Sequence, residues 1–166
     1  MLAFFCLNMS MYFIYFCEDM LIRKANLDDV KHLSLLFDAY RVFYQKESAI
    51  ESAEKFLSDR IIHNESEIFV AENENKELIG FVQLYPIFSS TRMKRFWLLN
   101  DLFVKPEERS KGISIALIEK AKELCKISGS CGMMLETAKS NAIGNKLYPK
   151  TGFELDEEHN YYTWNC

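Results

Sequence analysis

The chain has 166 residues, a formal net charge of −4 at pH 7, and a hydrophobic content of 49%. This length suits one domain with a real core, and the apolar content excludes a disordered chain. The acidic balance argues against a nucleic-acid-binding protein that works through a broad basic face. The five cysteines and three histidines show neither CxxC nor zinc spacing. We therefore predict no metal site and a reducing, cytoplasmic setting.

The N-terminal segment, residues 1–19, stands apart in composition. Residues 1–17 contain only two plainly polar side chains, Asn8 and Ser10. The run is shorter than the roughly 20 residues that a membrane-spanning helix needs. A secretory signal has a basic region at its start, but no Lys or Arg precedes Cys17. We therefore expect residues 1–19 to lie outside a single domain of residues 20–166, with no membrane partner. A docking segment or a weak membrane anchor is the alternative.

The spacing of apolar residues predicts an alternation of helices and strands along residues 20–166. Predicted strands cover residues 20–24, 67–72, 77–88, 95–105, 133–137 and a final pair within 152–164. Predicted helices cover about 26–44, 48–61, 112–128 and 140–149. Ser48 and Glu51 have the spacing of a capping box, and Pro86 should end regular pairing or mark a bulge. This element order predicts an α/β fold, a mixed sheet with helices on its faces.

The first functional signal is the stretch from Leu102 to Ser114, where a buried strand runs into a short basic loop and then a helix. Free N–H groups and the helix dipole at such a start bind anions. Gly112 allows close approach of a ligand, and Arg109 and Lys111 add positive charge. The corner therefore predicts a phosphate or pyrophosphate site. It is neither a Walker loop nor GxGxxG, and an ordinary strand–turn–helix corner is the alternative.

Two motifs in the correct order resemble the GCN5-related N-acetyltransferase (GNAT) superfamily. Val-x-Pro-Glu-x-Arg-x-Lys-Gly-Ile, which begins at Val104, is similar to its acyl-CoA-binding loop. The later Asn141…Leu-Tyr-x-x-x-Gly-Phe, which ends at Phe153, is similar to a second family segment. The departure is Ser114, where the family loop has Gly or Ala. The resemblance covers about residues 20–164, and residues 37–44 and 83–86 resemble a bacterial branch that mostly lacks assigned substrates.

The resemblance implies a mostly antiparallel central sheet with helices on both faces. It also implies acetyl-CoA as co-substrate, without a metal, and direct transfer to a primary amine of a small molecule or protein in a ternary complex. Tyr148 would protonate the leaving thiolate as general acid, and Asn141 would hold the pantetheine arm. The alternative for Tyr148 is a packing aromatic, and the alternative for Asn141 is a helix cap. The expected cofactor-binding residues are Leu102, Phe103, Val104, Arg109, Ser110, Lys111, Gly112, Ile113, Ser114 and Asn141.

The base and the acceptor pocket are less specified. Asn100 and Asp101 interrupt an apolar strand, and alternation sends them to opposite faces. A carboxylate there needs a partner or a function. Several family members carry an acidic residue at the position of Asn100, so Asp101 becomes the candidate base or water organiser, with a structural acceptor as the alternative. The expected acceptor contacts are Tyr40, Arg41, Tyr44, Tyr85, Phe88 and Asn100.

Two further expectations concern the acceptor and the class of protein. Arg41 could bind an acceptor carboxylate bidentately, which would make the acceptor an amino acid or similar zwitterion. An acyl-CoA-binding regulatory module without catalysis is the competing function, because of Ser114 and the missing acid at Asn100. A homodimer is plausible for the class.

Overall fold

The computed structural model describes residues 20–166, so the predictions for residues 1–19 lie outside the described residues. The strands are β1 (Met20–Lys24), β2 (Glu67–Asn73), β3 (Leu78–Ser89), β4 (Lys94–Val104) and β5 (Met133–Met134). The helices are α1 (Val30–Phe43), α2 (Ile50–Ile62), α3 (Ile113–Ile127) and α4 (Ala142–Lys150). Within the described residues, no helix is long and apolar enough to cross a membrane.

The five strands form one sheet in the order β1-β2-β3-β4-β5. Neighbours are antiparallel except β4 and β5, which are parallel. One apolar cluster joins the sheet to α1 and α2 through residues such as Leu33, Leu57 and Phe81. A second cluster joins the other face to α3 through residues such as Leu84 and Leu117. The predicted fold class, a mixed and mostly antiparallel sheet with helices on both faces, is confirmed.

A β-bulge interrupts the pairing of β3 with β4. Gln83 is paired with Asp101 and Leu84 with Leu99, so Asn100 is left without a partner. The extra residue breaks the alternation of side chains along β4. As a result, Asn100 Nδ2 donates a hydrogen bond of 3.1 Å to Asp101 Oδ2. The prediction that these two side chains lie on opposite faces is wrong, because it assumed an unbroken ladder.

The predicted effect of Pro86 is also wrong. Pairing continues through Pro86 and Trp97 to the end of the hairpin, and the register shift lies at Gln83 instead. The physical reason is that β2 begins only at Glu67, which is paired with Leu84. Beyond that point β3 has a single neighbouring strand, and a proline is tolerated at such an edge.

The start of α2 is held by a carboxylate from α1 and not by the predicted capping box. Asp38 is 6% exposed and accepts hydrogen bonds from Ala49 N–H (2.8 Å) and Ser48 Oγ (2.6 Å). Arg41 donates to the same carboxylate (3.2 Å) and to the carbonyl of Glu47. Burial alone would raise the pKa of Asp38, but these hydrogen bonds and the Arg41 charge together hold the pKa below its ordinary value. The joint therefore fixes α2 against α1.

The predicted final strand pair is absent, since residues 152–166 form neither helix nor strand. The last strand, β5, is only two residues long, shorter than the predicted 133–137, and offers little edge for further pairing. In addition, the Asp156 carboxylate accepts from the backbone N–H groups of Glu158 (2.9 Å) and His159 (3.1 Å). This local turn competes with extended pairing.

Candidate active site

The edge of β4 opens towards the site. β5 is paired with β4 only at Trp97 and Leu98. From Leu99 to Val104, no strand of the described chain lies on that side of β4. An unpaired edge presents backbone N–H and C=O groups that an extended chain with its own amides can bond. The predicted cofactor residues Leu102 and Phe103 belong to this edge.

A tight loop connects this edge to α3. After Val104 a single 3-10 turn leads to Ser110 and Gly112, which both have left-handed φ angles of 65° and 81°. A Cβ on Gly112 would meet no atom within 4 Å, so the space beside the loop is open. Helix α3 begins at Ile113 without a side-chain cap, which leaves N–H groups of its first turn unpartnered by a cap. Open space and uncapped N–H groups are what the predicted anion site requires, and the site itself stays a prediction.

The two basic side chains of the loop are already engaged. Lys111 Nζ lies 2.7 Å from Glu108 Oε2. Arg109 Nε donates to the carbonyl of Val104 (3.1 Å), and its guanidinium lies 5.7 Å and 5.8 Å from the ring centroids of Phe43 and Phe103. Arg109 therefore ties the loop to the ends of β4 and α1. The backbone N–H groups at the start of α3 are anion donors that this corner offers beside these two side chains.

Asp101 is the buried carboxylate of the site. Its residue is 5% exposed. Burial raises the pKa of Asp101, and hydrogen bonds with Asn100 and Tyr40 offset part of this rise. Within residues 20–166, no Lys, Arg or His forms an ion pair with it. Asp101 is thus a better proton acceptor than an exposed aspartate.

Two tyrosines, Tyr40 and Tyr85, lie near this carboxylate. The centroid of the Tyr40 ring lies 5.0 Å from that of Tyr44 and 6.2 Å from that of Phe103. The Tyr40 hydroxyl lies beside Asp101. Burial, followed by the Asp101 charge, raises the pKa of Tyr40 above its ordinary range. The same causes raise the pKa of Tyr85 to about 12. Both hydroxyls therefore remain protonated and can donate to the carboxylate or to a bound acceptor.

Not all predicted acceptor contacts join this group. Tyr40, Tyr85 and Asn100 lie near Asp101, and Tyr44 packs against Tyr40. In contrast, Arg41 is held at the joint between α1 and α2. Phe88 is 72% exposed near the end of the β3–β4 hairpin, where Arg95 lies 5.2 Å from its ring centroid.

Tyr148 and Asn141 both belong to α4. The Tyr148 ring packs 5.9 Å from Phe153, and burial raises the pKa of its hydroxyl. Its hydroxyl lies within electrostatic range of the Tyr40 and Tyr44 hydroxyls. Asn141 caps α4 by accepting from Gly144 N–H (3.0 Å), while its amide donates to Thr137 (2.9 Å). Asn141 is therefore the N-cap of α4, as the alternative interpretation predicts.

Sequence reasoning assigned no role to Gln83, Ser66 or Phe43. Gln83 is fully buried opposite Asp101, and Ser66 accepts its amide hydrogen (2.8 Å). A polar residue inside the apolar run of β3 was the available signal. Its partner could not be derived, because the register across β3 and β4 is a tertiary property.

Comparison with known proteins decides the family. Residues 33–153 match the model of the acetyltransferase (GNAT) family. The chain belongs to this family. It is 42% identical over 144 residues to YhfO of Bacillus subtilis, an uncharacterized N-acetyltransferase, with 87% of this chain and 96% of the relative covered. This GNAT protein is therefore an N-acetyltransferase.

Solved structures agree. The crystal structure of a probable acetyltransferase is 37% identical with a TM-score of 0.84, covering 88% of this chain and 97% of that one. An aminoglycoside N-acetyltransferase in complex with CoA has a TM-score of 0.74 at 21% identity, covering 89% of this chain and 95% of that one. The second likeness shows a shared fold.

Proposed function

We propose that this GNAT protein transfers an acetyl group from acetyl-CoA to a primary amine of a small molecule or protein, by direct attack in a ternary complex. The observation that carries the proposal is the unpaired edge of β4 from Leu99 to Val104. It includes the buried Asp101 and ends at the loop before α3. The pantetheine arm has amides that can bond this edge, and the open space at Gly112 suits its pyrophosphate. When bound, acetyl-CoA supplies a thioester carbonyl and a thiolate leaving group.

Asp101 acts as the base. An alkyl ammonium has a pKa near 10.4, so the acceptor must lose a proton before its nitrogen can attack. Burial raises the pKa of Asp101, which strengthens it as a proton acceptor. Asn100 donates to the carboxylate at 3.1 Å, and the Tyr40 hydroxyl lies beside it. The tyrosines around it provide the aromatic surface that an alkyl ammonium favours.

Tyr148 acts as the acid. Burial keeps its hydroxyl protonated, so it can donate a proton to the leaving sulfur. The backbone N–H of Val104 stabilises the oxyanion, because it points away from β3 and is not used by another strand on that side.

The test is thiol release from acetyl-CoA across a panel of primary amines. Asp101→Asn should lower kcat/KM for the best amine by about 10² or more, the usual contribution of a general base. The same loss is not expected for binding of acetyl-CoA, measured by calorimetry. Binding without transfer to any amine or protein would instead favour the regulatory module that Ser114 suggests.

A further inference from the structure

The amide of Gln83 is half satisfied at the centre of the sheet. Gln83 is fully buried, and its Nε2 donates to Ser66 Oγ at 2.8 Å. Its Oε1 is buried and has no hydrogen-bond partner among the described residues. Leaving a buried carbonyl without a partner is costly, because the group loses its hydrogen bonds to water. Such a group requires an explanation.

The position of Gln83 relative to Asp101 provides one. The two residues are paired across β3 and β4, next to the bulge at Asn100. Paired residues project to the same face with Cβ atoms about 4.5–5.5 Å apart. Ser66 precedes β2, on the opposite side of β3 from Asp101. Since Ser66 holds the NH2 end of the amide, the carbonyl end is left for the β4 side.

We propose that Gln83 is a positioning residue that strengthens Asp101 as a base. This role rests on the proposed function, in which Asp101 takes a proton from the acceptor amine. The ammonium N–H bond breaks with its electron pair left on nitrogen, and an O–H bond forms on Asp101. That O–H then donates to Gln83 Oε1. The amide carbonyl and the ionised carboxylate are both hydrogen-bond acceptors, so their contact is unfavourable. Once Asp101 is protonated, its O–H can donate to the carbonyl. The carbonyl of Gln83 therefore favours the protonated form of Asp101.

The other groups around Asp101 act in the opposite direction. Asn100 and the Tyr40 hydroxyl are donors that favour the carboxylate. The Tyr85 hydroxyl on β3 and the Tyr44 and Tyr148 hydroxyls near Tyr40 are also donors. Besides Asp101, the charged groups that act on Tyr85 are Arg60 and Glu65, which pair with each other. Gln83 Oε1 is thus the acceptor in a group of donors.

The experiment is the pH dependence of kcat/KM for the full chain with acetyl-CoA and the best amine of the panel. Gln83→Met keeps the side-chain shape and removes the carbonyl. The acid limb should move to lower pH, because Asp101 loses the acceptor that favoured its proton. The plateau should fall by about tenfold, within the range of base catalysis. Ser66→Ala frees the amide to turn its NH2 towards Asp101, so the limb should move in the same direction.

A matched control separates this role from packing. Ser34→Ala removes another buried hydroxyl. Ser34 is 1% exposed, and its hydroxyl donates to the carbonyl of Lys31 within α1. This variant should leave the limb in place. If Gln83→Met does not fold, as judged by circular dichroism, Ser66→Ala decides. If the acid limb is unmoved in Gln83→Met and Ser66→Ala but is lost in Asp101→Asn, the role of Gln83 is overturned and the proposed base stands. A limb that persists in Asp101→Asn would overturn the proposed base itself.

Discussion

Replacing Tyr148 with Phe removes one proton donor and leaves the packing of α4 unchanged. The ring keeps its edge contact with Phe153 at 5.9 Å and its close approach to Gly144. Burial raises the pKa of Tyr148, so the hydroxyl is protonated throughout a neutral assay range. In the proposed mechanism, its loss removes the whole general-acid contribution, so kcat should fall by about 10²–10⁴. That corresponds to about 2.7–5.4 kcal/mol of transition-state stabilisation.

The assay is thiol release with both substrates saturating, so that binding does not limit the rate. Tyr162→Phe is the matched control, since that ring is 90% exposed and the same atom is removed. The melting temperature of Tyr148→Phe should stay close to that of the wild type. A fall in kcat below about threefold, far under the general-acid range, would refute the assignment.

Three further predictions concern the loop, the helix joint and the buried carboxylate. Gly112→Ala places a methyl group in open space at a φ of 81°, so it should raise KM for acetyl-CoA and cost about 1–2 kcal/mol of stability. Gly129→Ala, with the same open surroundings and a φ of 62°, should show the stability cost with an unchanged KM, and equal KM values in both variants would contradict the cofactor role. Asp38→Ala should lower the free energy of urea unfolding by about 2–4 kcal/mol, since it removes the charged acceptor of three hydrogen bonds, whereas Ser48→Ala should cost about 1 kcal/mol. Equal costs would show that the carboxylate does not hold the joint. The pKa of Asp101 is raised in the fold, so the wild type should lose stability as pH rises from the ordinary aspartate pKa through the folded value. Asp101→Asn should lack this slope and melt at a higher temperature at neutral pH, and parallel melting curves across pH would refute the prediction.

Local signals made the helices and the loop predictable. Asn26 caps the turn before α1, and Asn141 caps α4, as their residue types indicate. Gly112 adopts a left-handed conformation, which a glycine between a strand and a helix favours. Each of these depends on residues within a few positions of one another.

Features that depend on distant partners were not predictable. The bulge at Asn100 arises from the register between β3 and β4, and it brings the Asn100 amide to Asp101. Ser48 resembles a cap in sequence, but Asp38, ten residues earlier, bonds the start of α2. The apolar residues near the C-terminus predicted strands, yet β5 is too short to pair with them.

The incomplete edge of β4 has a consequence for the lifetime of the protein in the cell. A row of unpaired peptide groups is also a template for joining other chains. If a pantetheine arm completes that row, the cofactor shields it and stabilises the folded chain by mass action. A ligand at a hundred times its dissociation constant contributes about 2.7 kcal/mol. The abundance of this acetyltransferase would then follow the supply of acetyl-CoA, and starvation would deplete the enzyme as well as its substrate.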